Sequence, residues 1–462
     1  MPIQTDIIII GAGPGGYRAA ELAAKRGRKV VIIEAAHVGG TCLNEGCIPT
    51  KCYARNAEAV SLVRDSEALG ICHDGFDFFL GKAKSRKDEV IEQLRTGIEA
   101  MLSHPNITFI RAEARFVDAH TVEAYTAGGD SVAAMDSYTA PAIIVATGSV
   151  PKTLPIEGAA LALDSSDLLQ MERQPDSLCI VGAGVIGMEF ASIFSAFGTK
   201  VTVVEFLKEC LPALDSDIAK RLRKVLEKRG VDFCMQCAVK AISGGNGGGK
   251  TVFFEDKKGR EQTVEAEQVL MAVGRAPRVF EHFSKAGFEY DKRSGIRVDS
   301  NFETTVPGVY AIGDVNGLQM LAHAAEAQAK MVIDHIIEAR DEASPPSIIP
   351  AAIFTAPEAA CVGKTEDQLK AEGAEYECRK AFHRANGKAL AMNEAEGMVK
   401  LFSEPGAGRI IGCHAFGAHS ADIVQEVCAL MYRDTTVEQL RHIVHIHPTL
   451  SEILLAAAET DK

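Results

Sequence analysis

One sequence pattern occurs twice in this chain and limits its fold more than any other feature. In the first copy the apolar run Ile7–Ile10 predicts a buried strand, which leads into a turn of the form G-x-G-x-x-G at residues 11–16. A helix is predicted over residues 17–26 and a second strand over residues 29–33, with Glu34 at its end. Such glycines let the backbone turn tightly and approach a pyrophosphate, and the acid suits a ribose 2′-hydroxyl.

The second copy has the same parts in the same order. A strand is predicted at residues 178–181, a helix that ends at Phe197, and a further strand at residues 200–204. Its motif residues lie 171 positions after their counterparts Gly11, Gly13, Gly16 and Glu34, and they are Gly182, Gly184, Gly187 and Glu205. A single motif of this kind also occurs in unrelated glycine turns, but two matched copies predict two bound dinucleotides.

The acid at the end of the second unit bears on cofactor choice. A carboxylate at Glu205 can accept hydrogen bonds from a free ribose 2′-hydroxyl, whereas it would repel a 2′-phosphate. We therefore expect NAD rather than NADP if the second unit is the nicotinamide site.

Size and composition define the class of protein. A chain of 462 residues predicts about three domains. The net charge of −13 gives no electrostatic reason to bind nucleic acid or an anionic membrane. There is no secretory signal pattern and no apolar stretch that approaches a membrane span, so we expect a cytoplasmic protein.

Further strands are predicted after each unit. Ala142–Val145 and residues 268–273 read as strands that return to the sheet, followed by Thr147 and by Gly274. A third run, at residues 309–312, precedes Asp314, which could hold a flavin ribityl or pyrophosphate group or be an ordinary turn residue. Residues 243–250 predict a hairpin tip, and residues 344–346 a linker before a new domain.

Two cysteines follow directly on the first dinucleotide unit. Cys42 and Cys47 are spaced C-x4-C, so a disulfide between them needs a distorted turn, which Gly46 could provide. A zinc site is disfavoured because Cys52 does not complete the four ligands that zinc requires, and no metal is expected. Inert buried thiols remain an alternative, but a pair beside a flavin could pass two electrons to it.

A second pair, Cys234 and Cys237, has the C-x-x-C spacing of thioredoxin-like motifs. It falls within a stretch that reads as one strand over residues 231–239, and we interpret it as incidental.

Near the C-terminus His447 lies five residues before Glu452. A histidine needs an orienting acid to be a good general base for a thiol, and a bridge from the loop to the helix predicted over residues 450–458 could supply it. Such a spacing is also common by chance, with the glutamate simply in the first turn of a helix.

Taken together, the motifs resemble those of the flavin-dependent pyridine nucleotide–disulfide oxidoreductases over essentially the whole chain, and most closely the dihydrolipoamide dehydrogenase branch. The most specific are G-G-T-C-L-N-x-G-C-I-P-x-K at residues 39–51 and H-P-T-L-S-E at residues 447–452. Departures leave the branch open: Thr50 where Ser is more usual, Ala324 for a frequent Lys, Ala356 for a frequent His, and Lys388 for Arg.

The resemblance implies an α/β fold with two Rossmann-like dinucleotide-binding domains and a C-terminal α+β dimerisation domain, as in the glutathione-reductase-like architecture. The implied boundaries are 1–150 for the FAD domain, 151–278 for the NAD domain, 279–345 for a central segment that completes the FAD side, and 346–462 for the interface domain.

It also implies the cofactor sites. For FAD the residues are Gly11, Gly13, Gly16, Glu34, Gly40, Thr41, Lys51, Ala114, Thr147, Gly148, Ser149, Asp314, Met320, Leu321, Ala322 and His323. For NAD they are Gly182, Gly184, Val185, Ile186, Gly187, Glu189, Glu205, Val239 and Gly274.

The implied reaction is oxidation of protein-bound dihydrolipoamide with reduction of NAD⁺. Cys42 would meet the substrate and Cys47 the flavin, while His447, oriented by Glu452, would act on Cys42 of the partner subunit in a homodimer. The implied partner is a lipoyl-bearing protein of a multienzyme complex. Two alternatives stay open: a related NAD(P)H-dependent disulfide or metal-ion reductase, and a docking subunit of a 2-oxoacid dehydrogenase or glycine cleavage assembly with little turnover.

Overall fold

The computed structural model describes residues 1–126, 134–245, 248–338 and 348–460. The chain divides into two compact units, each made of three sequence segments. Unit 1 comprises Met1–Thr50, Lys84–Lys152 and Arg275–Pro346, and unit 2 comprises Lys51–Ala83, Thr153–Gly274 and Ser347–Lys462.

The helices of the described ranges are α1 (Pro14–Lys25), α2 (Gly40–Asn44), α3 (Cys47–Arg64), α4 (Leu80–Leu102), α5 (Ser165–Leu169), α6 (Val185–Phe197), α7 (Ser216–Lys228), α8 (Ala322–Glu338), α9 (Glu366–Ala371), α10 (Gly387–Ala391), α11 (Ser420–Tyr432), α12 (Val437–Arg441) and α13 (Glu452–Glu459). None of them is both long enough and apolar enough to cross a lipid bilayer.

The strands of the same ranges are β1 (Ile3–Gln4), β2 (Ile7–Ile10), β3 (Val30–Glu34), β4 (Ile107–Arg111), β5 (Glu113–Phe116), β6 (Thr121–Tyr125), β7 (Ala134–Thr139), β8 (Ala142–Val145), β9 (Ser149–Pro151), β10 (Ser177–Val181), β11 (Lys200–Glu205), β12 (Asp232–Met235), β13 (Ala238–Gly244), β14 (Lys250–Glu255), β15 (Glu261–Ala266), β16 (Gln268–Met271), β17 (Arg275–Pro277), β18 (Tyr290–Asp291), β19 (Gly295–Ile296), β20 (Val309–Ala311), β21 (Ala351–Ile353), β22 (Ala359–Gly363), β23 (Glu377–Phe382), β24 (Met398–Ser403) and β25 (Ile410–Phe416).

Unit 1 is built on a parallel sheet in the order β20-β8-β2-β3-β4. Strand β2 is buried on both faces, so its four isoleucines form a continuous apolar run rather than an alternating one. Ile7 and Ile9 pack with the small residues of α1 and with α8, while Ile8 and Ile10 pack with a second, four-stranded sheet of order β1-β7-β6-β5. A layer on each face excludes water from this sheet.

Unit 2 contains the second parallel sheet, in the order β12-β11-β10-β16, with α6 on one face. Its other face packs against the antiparallel sheet β13-β14-β15. The C-terminal part of the unit is an antiparallel five-stranded sheet in the order β21-β22-β25-β24-β23, whose apolar side packs with α11 and α13.

The predicted elements around both glycine motifs are confirmed, with shifted ends. The first helix starts at Pro14 instead of Tyr17, because proline is well suited to the first position of a helix. The predicted returning strands are present: β8 pairs with β2, and β16 pairs with β10. The fold class expected from the sequence, two parallel dinucleotide-binding sheets with a C-terminal α+β part, is likewise confirmed.

Three further predictions differ from the structure. The stretch at residues 231–239 is not one strand, because Gln236 has a φ of 59° and separates β12 from β13. The C-terminal helix begins at Glu452 rather than Leu450, and the strand predicted to Val273 ends at Met271. The predicted hairpin joins β13 and β14, with residues 246–247 of its tip outside the described ranges. The predicted linker at residues 344–346 also lies outside them.

Candidate functional site

The first glycine turn lies at the carboxyl end of β2, in unit 1. Gly11 has a φ of 104°, a left-handed conformation that favours glycine, and a Cβ on Gly16 would lie 1.9 Å from the Gly11 carbonyl oxygen. The Glu34 carboxylate accepts hydrogen bonds from the Ala12 N–H at 2.7 Å and from the Ala36 N–H at 2.8 Å. The turn is thus tight and backbone-lined at the start of α1, as a pyrophosphate-binding turn requires.

The second glycine turn, in unit 2, repeats this geometry closely. Gly182 has a φ of 105°, and a Cβ on Gly187 would lie 2.0 Å from the Gly182 carbonyl oxygen. The Glu205 carboxylate accepts from the Ala183 N–H at 2.5 Å and from the Leu207 N–H at 2.7 Å. A Cβ on Gly184 would meet nothing within 4 Å, so space is open in front of α6. Each unit therefore holds one turn shaped for a dinucleotide.

The two cysteines lie on separate helices. Cys42 is in α2 and is half-buried, whereas Cys47 is the first residue of α3 and is exposed. The break between the helices falls at Glu45 and Gly46, and a Cβ on Gly46 would lie 3.0 Å from the Thr41 carbonyl oxygen. The predicted distortion at Gly46 is thus a complete break in the helix.

The loop that carries Cys42 is packed directly on the first glycine turn. The Gly39 N–H donates to the Ala12 carbonyl at 2.7 Å, and a Cβ on Gly40 would lie 2.8 Å from the Gly13 Cα. The φ values of Gly39 and Gly40 are 92° and 57°. Glycine at these positions lets the two backbones touch, so Cys42 and the first dinucleotide turn share one site within unit 1.

Asp314 follows β20 in a short 3-10 turn and belongs to a hydrogen-bonded chain of unit 1. The Ser149 hydroxyl donates to Asp314 Oδ2 at 2.5 Å, and Arg275 Nε donates to Ser149 Oγ at 2.7 Å. Burial raises the pKa of the Asp314 carboxyl, while the Ser149 hydrogen bond and the Arg275 charge oppose that rise. The Asp314 carboxylate is thus a hydrogen-bond acceptor whose orientation is fixed by the chain from Arg275 through Ser149.

The other residues implied for FAD have diverse surroundings. The Thr147 hydroxyl donates to the Arg278 carbonyl at 2.8 Å, and Gly148 has a φ of 75°. Ala114 lies in β5, where it pairs with Ala124. The segment just before α8 and its first turn contain Met320, Leu321, Ala322 and His323, which are all half-buried or exposed.

Lys51 and Glu189 form an ion pair within unit 2. The Lys51 ammonium donates to both Glu189 oxygens, at 3.0 and 3.1 Å, and lies 4.6 Å from the centre of the Phe354 ring. The Phe354 N–H also donates to Glu189 Oε1 at 2.9 Å. Glu189 is only 4% exposed, so its charge is compensated by Lys51 and by the Phe354 N–H.

His447 and Glu452 are in hydrogen-bond contact at the start of α13. His447 Nδ1 lies 2.9 Å from Glu452 Oε1, and the Thr449 N–H donates to Glu452 Oε2 at 2.7 Å. The Thr449 N–H and His447 hold the pKa of Glu452 below its usual value, so it is a carboxylate and His447 Nδ1–H is the donor. The exposed side chain of His447 therefore presents its Nε2 to its surroundings.

The remaining residues implied for NAD lie at the start of α6, within a strand of unit 2 or just after one. Val185 and Ile186 are the first residues of α6, Val239 is in β13 beside Phe254, and Gly274 is an exposed residue with a φ of 98°.

Cys234 and Cys237 lie on either side of the turn at Gln236. Burial raises the pKa of both thiols, which disfavours the reactive thiolate. Among the described residues no group of three or more His, Cys, Asp and Glu side chains could hold a metal ion.

Three partners of residues in the recognised motifs have no signal in the sequence pattern. Arg275, Phe354 and Arg95 touch Ser149, Glu189 and Asn44, respectively. Each contact spans 51 or more positions along the chain, and only the tertiary fold brings the partners together.

Comparison with protein-family models gives two matches that together cover most of the chain. Residues 5–329 match the pyridine nucleotide-disulphide oxidoreductase model, and residues 349–458 match the dimerisation domain of the same family.

Individual relatives agree with these matches. The chain is 36% identical to a dihydrolipoyl dehydrogenase of Geobacillus stearothermophilus, over 99% of this chain and 96% of that one. It is 34% identical to a leghemoglobin reductase of Glycine max, over 98% and 87%. Among solved structures, the Cu(II) complex of the HOCl-induced flavoprotein disulfide reductase RclA from Escherichia coli superposes with a TM-score of 0.88 at 28% identity, over 99% of each chain.

The family is FAD-binding and NAD(P)-dependent, and the two matched glycine turns and the cysteine pair of this chain are the features that such chemistry needs. The chain belongs to the pyridine nucleotide-disulphide oxidoreductase family and is a flavin-dependent oxidoreductase that acts on sulfur groups.

Proposed function

We propose that this protein oxidises dihydrolipoamide carried on a lipoyl-bearing protein and reduces NAD⁺. The observation that carries the proposal is the hydrogen bond of 2.9 Å between His447 and Glu452, which leaves a histidine poised as a base for a thiol. The full-length similarity to dihydrolipoyl dehydrogenases supports this choice of substrate. A purely docking role is disfavoured because the chain retains both cysteines and the His–Glu pair.

The proposed cofactor sites fit the residues present. Glu34 and the turn at Gly11 in unit 1 would hold the adenosine part of FAD, and Asp314 its ribityl chain. Glu205 and the turn at Gly182 in unit 2 would hold NAD, and the buried carboxylate disfavours a 2′-phosphate. Bound FAD supplies a two-electron carrier between the thiols and NAD⁺.

The residues of the chain then perform thiol–disulfide exchange. His447 accepts a proton from one thiol of the substrate, and the resulting thiolate attacks the Cys42 sulfur of the Cys42–Cys47 disulfide. This forms a substrate–Cys42 bond and releases Cys47 as a thiolate. The second substrate thiol then attacks the substrate sulfur that is bonded to Cys42, and its proton passes to the departing Cys42 sulfur. This closes the lipoamide ring and leaves both cysteines reduced.

We propose that the working form is a homodimer in which His447 of one subunit serves Cys42 of the partner subunit. The dimerisation-domain match supports a dimer. The segment that leads to His447 presents apolar side chains to solvent in the single chain, since Val444 is 95% and Ile446 79% exposed. Exposed apolar groups of this kind mark a surface that a partner covers.

A second candidate is reduction of another disulfide or of a metal ion by NAD(P)H. The superposition on RclA in its Cu(II) complex favours it, because that protein is a flavoprotein disulfide reductase of the same fold. The two candidates differ in electron donor and in acceptor.

The test compares three assays of the purified holoenzyme: NAD⁺ reduction by dihydrolipoamide, NADPH oxidation by glutathione disulfide, and NADH oxidation by Cu(II). We expect fast turnover in the first assay alone. Activity only in the second or third would replace the dihydrolipoamide assignment. In the first assay Cys47→Ser should abolish turnover, and a variant that kept full turnover would refute the exchange scheme.

A further inference from the structure

We infer that Arg95 is a positioning residue for the redox-active cysteines and acts through the side-chain amide of Asn44. The inference rests on the proposed exchange role of Cys42 and Cys47, and it adds a residue outside their motif.

The element that carries Cys42 is too short to hold itself. Helix α2 spans five residues, Gly40–Asn44, and a single turn of helix is unstable without outside support. Asn44 provides part of that support, because its Nδ2 donates to the carbonyl of Val38 at 3.0 Å and to that of Gly40 at 2.8 Å. These bonds close the loop on both sides of the left-handed Gly39.

Arg95 fixes the direction of this amide. Its Nη2 and Nε donate to Asn44 Oδ1 at 2.8 and 3.3 Å, while its Nη1 donates to Glu92 Oε2 at 2.7 Å. A guanidinium has hydrogen-bond donors only, so it can donate to the amide oxygen but cannot accept from the NH₂ group. With Arg95 present, the Asn44 NH₂ must therefore point at the two carbonyls of the loop.

The contact between Arg95 and Asn44 also joins the short helix α2 to the long helix α4. Arg95 and Glu92 lie on α4, a helix of 23 residues, and Cys42 lies two positions before Asn44. Exchange needs the Cys42 sulfur in line with the attacking thiolate, and misplacement by about 1 Å can cost about 100-fold in rate. Loss of the clamp should slow exchange and spare the two dinucleotide turns.

The experiment uses holoenzyme and dithiothreitol, a dithiol that probes the cysteine pair whatever the natural substrate is. Dithiothreitol-driven NAD⁺ reduction requires the pair, whereas NADH oxidation by ferricyanide bypasses it. Arg95→Ala should lower kcat of the first reaction about 10-fold or more, with KM and the second reaction changed less than about twofold. Arg95→Lys should not restore the kcat of the first reaction, because an ammonium lacks the planar pair of donors that a guanidinium presents.

Two comparisons separate positioning from general damage. Asn44→Ala combined with Arg95→Ala should be no slower than Asn44→Ala alone, since both changes remove one contact. The control Arg297→Ala removes an exposed ion pair with Glu289 in the same unit and should leave both reactions unchanged.

Three results would overturn the inference: dithiothreitol turnover of Arg95→Ala within twofold of wild type, equal losses in both reactions, or additive effects of Asn44→Ala and Arg95→Ala. Wild type that turns over dithiothreitol but not dihydrolipoamide would refute only the substrate assignment. Wild type that is inactive with both dithiols would refute the exchange role, and the positioning role with it.

Discussion

Three of the polar side chains implied for the site are oriented by a neighbour at hydrogen-bond distance. Glu452 orients His447, Ser149 orients Asp314, and Lys51 pairs with Glu189. The sequence indicated the first pair through the family motifs. It gave no sign of Arg275 behind Ser149, because that contact spans 126 positions and depends on the pairing of β9 with β17.

The orienting role of Glu452 predicts a graded pair of variants. His447→Gln should lower dihydrolipoamide turnover by about 100-fold to 10,000-fold, the usual contribution of a general base. Glu452→Gln should cost less, because the imidazole remains but its tautomer is no longer selected. Stopped-flow measurement of cysteine reduction by dihydrolipoamide checks both.

The same pair fixes the expected pH dependence. Because the Thr449 N–H and His447 lower the pKa of Glu452, its carboxylate persists well below pH 7 in the wild type. Ionisation of Glu452 should therefore add no transition to the rate as pH falls from 8 to 5. An acidic transition in that range that is present in the wild type and absent from Glu452→Gln would contradict the assigned role of Glu452.

Single elements were the most predictable level of this structure. Buried strands, glycine turns and the helices behind them follow from local patterns, and the structure confirms both copies. The prediction of one strand over residues 231–239 was wrong. The residue with positive φ in the middle of this run is Gln236, and a positive φ cannot be recognised from the sequence when the residue is not glycine. The break between α2 and α3 was foreseen only as a distortion.

Replacement of glycine by alanine should have opposite effects on stability at two positions. In Gly187→Ala the new Cβ would lie 2.0 Å from a backbone oxygen, so the junction of β10 and α6 must shift. We expect this shift to lower the free energy of unfolding by about 1–3 kcal/mol. Gly97, inside α4, has nothing within 4 Å of an added Cβ, and Gly97→Ala should stabilise the protein by about 0.5–1 kcal/mol. Urea unfolding followed by circular dichroism measures both, and equal stability of the two variants would refute the packing argument.

At the scale of the whole molecule, the two dinucleotide-binding sheets could be derived from residue patterns, and the matches confirm the family. The antiparallel C-terminal sheet could not, because its strands carry no motif; only the family resemblance predicted it. The four domain boundaries stay predictions.

A buried ion cluster of unit 2 predicts how the molecule responds to acid. Lys400, which is 0% exposed, donates to both Asp215 oxygens at 2.8 Å and to Glu366 at 2.6 Å. Burial by itself would raise the pKa of Glu366, but hydrogen bonds from Lys370, Lys400 and Tyr376 outweigh it and hold the pKa at about 2. The stabilisation is therefore present above the ordinary glutamate pKa and is lost as pH falls toward 2.

Glu366→Gln should destabilise the protein at pH 7 by about 1.5–3 kcal/mol, the usual value of a hydrogen bond to a charged group. Its loss of stability between pH 5 and pH 3 should be shallower than that of the wild type. The control is Glu404→Gln, which removes a surface ion pair with Arg409. This variant should change the stability at pH 7 little. Parallel pH profiles for wild type and Glu366→Gln would contradict the linkage.

The central claim is that dithiol oxidation occurs at a site shared by two subunits. Co-expression of Cys47→Ser and His447→Gln chains with different tags, followed by purification of the mixed dimer, tests it in one assay of NAD⁺ reduction by dihydrolipoamide. Each variant alone should be nearly inactive. In the mixed dimer one site combines intact cysteines with an intact histidine, so we predict about half of the wild-type activity per dimer. A mixed dimer as inactive as its parents would contradict the shared site.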